Sequence, residues 1–467
     1  MSYEAFIGTK RATIAPSGFE PVATDTYDLF PFQQSCVEWA CEQGRSALFE
    51  DTGLGKTRQQ LTFADQVVRT TGGRFLILAP LAVGPQTARE AETVNIDGVQ
   101  FARNPEEING APRIVITNYD NLDKWSSFGE VGVALDESSI LKNFTGSTRA
   151  SLNDRFATTR YKLACTATPA PNDYTEIGNH AEWLGVCSRS EMLATYFIND
   201  VDGKKGAKTA NEWRLKGHAV DAFWNWVASW SRMVGRPSDV GDFDDARYIL
   251  PPLTIHKHLV DVDIVDGRDG ALFRMSSGSA TEIKQEQKRT AAYRAAKVAE
   301  IVASRTDTPW LVWVTNDADG AAMRAVLPDV CEVHGSDKPD VKERRLLDFA
   351  DGRIPVLMTK GSIAGMGLNF QVCSAQAFMG LDYSYEKFYQ QVRRSWRFMQ
   401  TRPVDAHIVV AKTEAPVLAS VLAKQDAHES MKAQMFAASR RASARTSVST
   451  SYVPDHIARL PTWLESR

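Results

Sequence analysis

The chain lacks several features that would place it in a specialised class of protein. No apolar run approaches the ~20 residues that a membrane-spanning helix requires, and the segment from Met1 to Ala5 carries no signal-peptide core. The six cysteines are scattered, without C-x-x-C spacing or an accompanying histidine cluster, which favours reduced core residues over a metal site. Glycine and proline are too few for a disordered chain. These absences predict a globular, cytoplasmic protein without a membrane partner.

An excess of positive charge is also missing. Lysine and arginine number 54 against 57 acidic residues, which gives a net charge of −3 and a pI of about 6.3. Bulk charge therefore does not indicate a nucleic-acid partner, and any basic surface has to be local. The 467 residues, 43% of them hydrophobic, are enough for two or three domains.

The most informative segment is a glycine-containing loop over residues 50–57. It follows the apolar run Ser46–Phe49 and precedes a helix-like segment, Arg58–Val68. A strand, a glycine loop and a helix in this order are the context of a phosphate-binding loop, because the loop N–H groups and the helix N-terminus both face the phosphates. Glu50 occupies the place of the first glycine in the strict G-x-x-x-x-G-K-[ST] pattern, so the match is to the shorter form T-G-x-G-K-T.

The glycines, the lysine and the last threonine of this shorter form are each suited to binding a nucleotide phosphate. Gly53 and Gly55 give the backbone the freedom to curl around phosphate oxygens. Lys56 can reach the terminal phosphates, and the hydroxyl of Thr57 can bind magnesium. The predicted ATP-binding loop consists of Thr52, Gly53, Leu54, Gly55, Lys56 and Thr57.

Two series of apolar runs alternate with helical segments along the chain. Runs of this kind indicate parallel sheets covered by helices on both faces, and ligands of such sheets lie at the carboxyl ends of the strands. The predicted strands of the first series are Arg74–Pro80, Arg113–Thr117, Val131–Leu135 and Tyr161–Thr166. Those of the second are Trp310–Val314, Ile354–Met358, Ala375–Met379 and Ala406–Val410, preceded by a long helix over roughly Ser279–Ser304.

Three strand-end or helical segments carry further chemistry. After the third strand, Asp136 can hold magnesium through water and Glu137 can orient and deprotonate an attacking water. The threonine hydroxyls of the segment Thr166-Ala167-Thr168-Pro169 can hydrogen-bond to the acidic pair and so couple its ligand state to another domain. The helix around residues 390–397 presents arginines suited to a γ-phosphate contact, and an arginine finger is worth ~10³–10⁵ in rate.

A region between the two series is rich in tryptophan. Residues 180–250 hold Trp183, Trp213, Trp224, Trp226 and Trp230. Phe223, Trp226 and Trp230 share one helical face. The region is either a helical insertion with an aromatic core, which we favour, or a stacking surface for nucleic acid. Beyond it, Ala437–Ser451 has the composition of a linker, and residues 457–464 resemble a short docking peptide.

Taken in order, these segments resemble the motifs of superfamily 2 DEAD/DEAH-box-type helicases, nearest to the Swi/Snf-like branch and to short phage-encoded relatives. The resemblance covers about residues 28–415. The matching segments are Pro31-Phe32-Gln33, Thr52 to Thr57, Ala79-Pro80-Leu81, Thr117 to Asp120, Asp136 to Asn143, Thr166 to Pro169, His334-Gly335 followed by Glu343-Arg344 and Phe349, Gly365 to Asn369, and Gln390 to Arg397 with Gln400 to Val404 after it.

The resemblance implies a role for individual residues. It implies that Gln33 contacts adenine, that Gly365, Gly367 and Asn369 join the ATP site, and that ATP and magnesium are the cofactors. The residues it makes catalytic are Lys56, Asp136, Glu137, Arg394 and Arg397, and those it makes coupling residues are Thr166, Thr168 and Gln390. The residues it places on the nucleic acid are Pro80, Leu81, Asn118, Tyr119, Thr359 and Ser362.

The chain departs from the Swi/Snf-like pattern at two motifs. The acidic motif is Asp136-Glu137-Ser138-Ser139 where the branch usually has D-E-A-H, so hydrolysis is expected and coupling through the missing histidine is left open. Lys360 to Ala364 stands where remodellers carry a T-[KR]-A-G-like run.

The predicted fold is α/β, with two tandem RecA-like lobes, a helical Trp-rich insertion and a short C-terminal tail. The predicted divisions are 1–27 (N-terminal extension), 28–180 (lobe one), 181–250 (insertion), 251–430 (lobe two) and 431–467 (linker and tail). The predicted function is an ATP-dependent motor that translocates on double-stranded DNA, in the host cytoplasm if the gene is a phage's. The alternatives are a strand-separating DNA or RNA helicase, and a nucleic-acid binding module with a vestigial ATPase.

Overall fold

A computed structural model describes residues 16–80, 83–126, 128–142, 146–200, 212–262, 280–363 and 369–446. The predicted site residues Leu81, Gly365 and Gly367 lie outside these ranges, as does the suggested docking peptide at 457–464. In the part of the chain that the structure describes, no helix is both long enough and apolar enough to cross a membrane.

The first lobe is built on a seven-stranded sheet in which every pair of neighbouring strands is parallel. The strands in this part of the chain are β1 (Arg45–Glu50), β2 (Arg74–Ala79), β3 (Val99–Phe101), β4 (Ile114–Asn118), β5 (Glu130–Asp136), β6 (Tyr161–Thr166), β7 (Phe197–Asp200), β8 (Glu212–Leu215) and β9 (Ser231–Val234). The sheet order is β3-β4-β2-β5-β6-β1-β9, while β7 and β8 form a separate antiparallel hairpin.

The helices of this lobe cover both faces of the sheet. They are α1 (Pro31–Gln43), α2 (Lys56–Thr71), α3 (Gly84–Thr93), α4 (Ser147–Arg155), α5 (Ile177–Leu184), α6 (Arg189–Tyr196) and α7 (Val220–Ala228). The central strands are buried on both sides, and apolar clusters pack against each face. Two-sided burial explains why these strands are continuous apolar runs in the sequence.

The second lobe repeats the arrangement with a six-stranded parallel sheet in the order β10-β15-β14-β11-β13-β12. Its strands are β10 (Leu253–Val260), β11 (Trp310–Val314), β12 (Cys331–Val333), β13 (Val356–Lys360), β14 (Ala375–Met379) and β15 (Val404–Ala411). Its helices are α8 (Ala280–Arg289), α9 (Ala291–Ser304), α10 (Asp317–Val326), α11 (Pro339–Ala350), α12 (Tyr385–Val392) and α13 (Ala415–Thr446). The single long helix predicted before this sheet is two helices that meet at Thr290.

The Trp-rich region is packed into the first lobe. Trp224 and Trp230 are fully buried, and the ring centroid of Trp226 lies 5.4 Å from that of Trp230 and 5.8 Å from that of Phe223. These rings belong to the hydrophobic core on one face of the first sheet, and β9 pairs with β1 at the edge of that sheet. The aromatic-core interpretation therefore accounts for these side chains, which are not available for stacking on bases.

The end of the chain differs from the sequence prediction. Residues 431–446, for which the sequence predicts a linker, are the last part of the 32-residue helix α13. The helix follows the last strand of lobe two and then packs on lobe one, where Met431 and Met435 join the Trp-rich core. Trp224 Nε1 donates to Gln434 Oε1 at 2.9 Å. The helix therefore connects the two lobes.

Candidate active site

The phosphate-binding loop connects β1 to α2, as the sequence predicts. Gly53 (φ 95°) and Gly55 (φ 87°) both have left-handed backbone conformations, which glycine adopts without strain. A Cβ on Gly53 would come within 2.9 Å of Phe398 Cβ, and one on Gly55 would collide with the Gln33 amide. Backbone conformation and close packing thus both require glycine at these two positions.

Gln33 is fixed against this loop. Its Nε2 donates to the carbonyl oxygen of Leu54 at 2.7 Å, and its Oε1 accepts from the backbone N–H of Phe30 at 2.9 Å. Gln33 therefore ties helix α1 to the loop. The contact with adenine remains a prediction.

Lys56 and Thr57 begin helix α2 directly after the loop. The Lys56 ammonium donates to the carbonyl oxygens of Glu50 (2.8 Å) and Asp51 (3.0 Å). It is therefore held at the loop, beside the positive end of the helix, where a phosphate chain would meet both.

The acidic pair lies at the carboxyl end of β5. Glu137 has a left-handed backbone conformation (φ 53°), unusual for a residue other than glycine. Burial, and secondarily the neighbouring Glu137, raise the pKa of Asp136 to about 7, while the Lys56 ammonium opposes this rise. Burial also raises the pKa of Glu137, again opposed by Lys56. The two carboxylates and Lys56 thus form one electrostatic unit.

This donor set fits a magnesium–nucleotide complex. Magnesium in phosphate-transfer sites is held by one or two carboxylates and by the substrate's phosphates rather than by a full cage of side chains. Among the described residues, no group of three or more histidine, cysteine or acidic side chains is arranged as a metal site by itself. Two buried carboxylates near one lysine leave negative charge that a divalent cation would neutralise, and Thr57 and Asp136 are the residues that would hold it.

The two predicted arginines of lobe two, Arg394 and Arg397, interact with different residues. Burial lowers the pKa of Arg394, and electrostatic attraction to Glu137 of lobe one opposes this shift. Arg397 donates a hydrogen bond to the side-chain oxygen of Asn369, and burial, followed by repulsion from Arg394, lowers its pKa to about 10. Arg394 is therefore the arginine that reaches toward the acidic pair.

Arg393 makes a contact between the lobes that the sequence did not predict. Its guanidinium donates to the carbonyl oxygen of Thr52 at 2.6 Å and lies 3.0 Å from the carboxylate of Asp51. Lys432 on α13 lies 2.9 Å from the same carboxylate, and Tyr389 donates its hydroxyl to it. Burial alone would raise the pKa of Asp51, but the two cations outweigh it and hold that pKa well below its usual range.

A second contact between the lobes starts at the acidic motif. Ser139 occupies the position of the missing histidine, and its hydroxyl donates to Glu386 Oε1 at 2.7 Å. Lys142 forms an ion pair with the other oxygen of Glu386. The partners are more than 240 residues apart in the chain, so only the assembled lobes bring them together. The only indication of this contact in the sequence is the serine at a position where the related motif has a histidine.

The predicted coupling residues are placed unequally. Thr166 lies beside the acidic pair, with its hydroxyl 3.4 Å from Glu137 Oε2, and the same hydroxyl accepts from the backbone N–H of Thr168 at 3.1 Å. Gln390 lies on α12 and lines a cavity in lobe two. The threonines therefore contact the acidic site or its immediate support, whereas Gln390 faces another region.

The predicted nucleic-acid residues also differ in accessibility. Asn118 donates to the carbonyl oxygen of Pro80 at 3.3 Å, which joins two strand ends of lobe one. Tyr119 donates to the carbonyl oxygen of Asp136 at 2.6 Å, so it supports the acidic motif. Thr359 is buried and donates to Val333, whereas Ser362 is exposed. Ser362 is thus better placed for a nucleic-acid contact than Thr359.

The chain has partial similarity to one protein-family model and to two solved structures. Residues 297–399 match the family model of the helicase conserved C-terminal domain. The fold is similar to that of Dbp5 from S. cerevisiae, solved bound to RNA and ADP BeF3, with a TM-score of 0.51 and 11% identity over 87% of this chain and 98% of that one. The SWI2/SNF2 ATPase core of Sulfolobus solfataricus, solved in complex with double-stranded DNA, matches with a TM-score of 0.40 and 15% identity over 94% and 98% of the two chains. No curated protein sequence is significantly similar to the chain.

The predicted fold class is confirmed. The chain forms two tandem RecA-like lobes, each a parallel sheet covered by helices, and the match to the helicase conserved C-terminal domain falls in the second lobe. The fold is thus similar to that of the Dbp5 structure.

Proposed function

We propose that this protein is a nucleic-acid-stimulated ATPase that uses ATP hydrolysis to translocate on double-stranded DNA. The observation that carries the proposal is the meeting of three elements from two lobes: the phosphate-binding loop at Lys56, the acidic pair at Asp136 and Glu137, and Arg394. In this class of motor, hydrolysis depends on lobe closure because the arginine arrives from the second lobe.

Each residue then has a defined task. Lys56 and the loop N–H groups bind the phosphates, and Thr57 with Asp136 would hold magnesium, which supplies charge neutralisation at the transferred phosphoryl group. Glu137 orients the attacking water and takes its proton. Arg394 stabilises the negative charge that develops in the transition state.

The preference for duplex DNA rests on the Swi/Snf-like motifs of the sequence. Contacts of such motors go mostly to phosphates, so the proposed binding is weakly dependent on base sequence. The proposed location is the cytoplasm, that of the host if the gene is a phage's. A strand-separating helicase, on DNA or RNA, shares the same catalytic residues and is distinguished by the nucleic acid that stimulates hydrolysis.

The test is steady-state ATP hydrolysis without nucleic acid and with single-stranded DNA, duplex DNA or RNA, at one fixed salt concentration. Strong stimulation by duplex DNA, followed by displacement of a triplex-forming strand, is the expected result. Stimulation by single strands or RNA alone would replace translocation with strand separation.

Variants separate an active motor from a binding module. Glu137→Gln is expected to bind ATP without turning it over, whereas the exposed Glu92→Gln, the same chemical change away from the site, keeps wild-type rates. Wild-type protein that binds nucleic acid without any hydrolysis would overturn the proposal in favour of a binding module.

A further inference from the structure

Helix α5 carries two polar side chains that are buried against the acidic motif. Asn179 is 1% exposed and His180 is completely buried. Burying a polar side chain costs free energy unless it forms hydrogen bonds. His180 Nε2 and Ser138 Oγ lie 3.1 Å apart and are hydrogen-bonded. Since Ser138 directly follows Glu137 in the chain, the imidazole is fixed one residue away from the carboxylate that we assign to the attacking water.

The ring of His180 also contacts the strand that leads into the phosphate-binding loop. Its centroid lies 5.2 Å from that of Phe49, at an interplanar angle of 84°, and Phe49 is the last residue but one of β1. Burial lowers the pKa of His180 to about 4, so the ring is neutral at pH 7 and brings no charge beside the acidic pair. One neutral side chain thus contacts both elements that have to be aligned for hydrolysis.

Asn179 holds the other end of the same segment. Its Nδ2 donates to the carbonyl oxygens of Leu141 (2.9 Å) and Lys142 (3.1 Å). Lys142 in turn forms the ion pair with Glu386 of lobe two. Residues 138–142 are therefore held from two sides, by α5 within lobe one and by Glu386 across the boundary between the lobes.

Glu137 depends on its neighbours for the direction of its side chain. Its left-handed φ of 53° is strained for a residue other than glycine, and such strain persists only where the surrounding contacts impose it. Tyr119 fixes the residue before it by donating to the carbonyl oxygen of Asp136 at 2.6 Å, and His180 fixes the residue after it. The hydrogen bond from Thr166 to the carboxylate is long, at 3.4 Å. The position of the carboxylate is therefore set mainly by the backbone turn.

We infer that His180 is a positioning residue for ATP hydrolysis: through Ser138 it holds the turn that aims the Glu137 carboxylate at the attacking water. The inference rests on the proposed function and adds a residue that lies outside the motifs of the sequence analysis. The acidic motif has Ser139 where related sequences have a histidine, and an imidazole reaches the motif from α5. Because this role involves no contact with the nucleotide, its loss is expected to lower kcat and to leave the KM for ATP nearly unchanged.

The test compares two replacements of His180 that separate its hydrogen bond from its packing. His180→Gln places a polar atom the same number of bonds from Cβ as Nε2, so it can keep the hydrogen bond to Ser138, but it loses the ring. His180→Phe keeps a ring against Phe49 and loses the hydrogen bond.

The expected results concern steady-state hydrolysis by the full-length protein, with and without duplex DNA. His180→Phe should lower kcat by ~10–100-fold and change the KM for ATP by less than about twofold. His180→Gln should recover most of the wild-type kcat. His218→Phe, the same change at an exposed histidine of lobe one, is the matched control with wild-type rates.

A double-mutant cycle with Ser138→Ala identifies the contact. Ser138→Ala is a small change that carries the test even if His180→Phe does not fold, and it should lower kcat in the same way. The double variant should lose no more than either single variant, because both remove one interaction. Amide hydrogen exchange over residues 137–142 should be faster in His180→Phe and close to the wild-type rate in His180→Gln.

Three results would overturn the inference. The first is a wild-type kcat in Ser138→Ala, and the second is a set of additive losses in the cycle. The third is a greater loss of kcat in His180→Gln than in His180→Phe, because the ring would then act by packing alone. A wild-type protein that hydrolyses no ATP would instead remove the proposed function, and the inference with it.

Discussion

Ser139 of lobe one donates a hydrogen bond of 2.7 Å to Glu386 of lobe two. The serine stands where related motifs place a histidine, and the glutamate also pairs with Lys142. The acidic motif and helix α12 are thus joined through one carboxylate, without a histidine. We interpret this contact as the link that makes hydrolysis sensitive to the position of lobe two.

Replacing Glu386 by glutamine is expected to uncouple hydrolysis from nucleic acid. The substitution weakens both contacts to lobe one, and small displacements of catalytic groups cost up to ~100-fold in rate. We expect the nucleic-acid-stimulated kcat to fall roughly tenfold and the unstimulated rate to change less, measured by steady-state hydrolysis. Glu343→Gln is the control. Glu343 forms a different ion pair between the lobes, with Arg89 at 3.5 Å, and its loss should have little effect because both side chains are exposed. Equal losses in the two variants would refute the coupling role.

Asp51→Asn is expected to destabilise the protein. Arg393 is 3% exposed and Asp51 17% exposed, so removing the carboxylate leaves a buried guanidinium without its counter-charge. Breaking a buried ion pair costs about 3 kcal/mol or more. Denaturant unfolding at pH 7 measures the change. Asp221→Asn serves as the control. Asp221 is an exposed ion-pair partner of Arg441, which lies on α13 like Lys432, and its replacement should change the unfolding free energy by well under half of the change in Asp51→Asn.

The same pair makes stability depend on pH in a definite direction. The pKa of Asp51 is lower in the folded protein than the ordinary value of ~3.9. Its contribution to stability is therefore fully present above pH ~4 and decreases as the pH falls toward the folded pKa. Wild type and Asp51→Asn should accordingly differ most in unfolding free energy near neutral pH and converge below pH ~4. A difference that stays constant across this range would show that the carboxylate charge is not responsible.

Gly53→Ala is expected to abolish ATP turnover. The new Cβ would approach Phe398 to 2.9 Å in a left-handed backbone position, so both the loop and its contact with lobe two must shift. Gly72→Ala is the matched control, because Gly72 also has a positive φ (69°) but its Cβ would meet nothing within 4 Å. Both variants should lose ~1–2 kcal/mol from backbone strain, whereas only Gly53→Ala should lose hydrolysis, as measured by phosphate release. Normal turnover in Gly53→Ala would show that the loop tolerates a side chain.

Arg394→Ala tests the arginine that faces the acidic pair. We expect kcat to fall by ~10³ or more, the usual worth of an arginine finger, with ATP binding retained in a fluorescent-nucleotide assay. Arg344→Ala, an exposed arginine on α11, should leave kcat unchanged. If Arg397→Ala proved far more damaging than Arg394→Ala, the assignment of the two arginines would have to be exchanged.

The sequence predicts the strands well because both sheets are parallel and buried on both faces. Such strands are uninterrupted apolar runs, and most predicted runs, such as Arg74–Pro80 against the observed Arg74–Ala79, fall within two residues of the structure. The phosphate-binding loop is local in sequence, so its glycines and Lys56 are recognisable without any tertiary information.

Long-range partners were not predictable in the same way. Asp51 and Arg393 are 342 residues apart, and no local pattern connects them. The sequence does not predict helix α13 because its second half is rich in alanine, serine and arginine, with buried apolar side chains only at Met431, Met435 and Ala438 among the described residues. That spacing of four and three residues is helical, but it is too sparse to distinguish a packed helix from a linker.

Helix α13 also limits how the lobes can move. Its start is held in the core of lobe two by Val417 and Val421, and its later part is held in the core of lobe one by Met431 and Met435. Val421 and Met431 are ten positions apart, which corresponds to ~15 Å along the helix. Separation of the lobes therefore requires this helical segment either to bend or to withdraw the two methionines from the aromatic core.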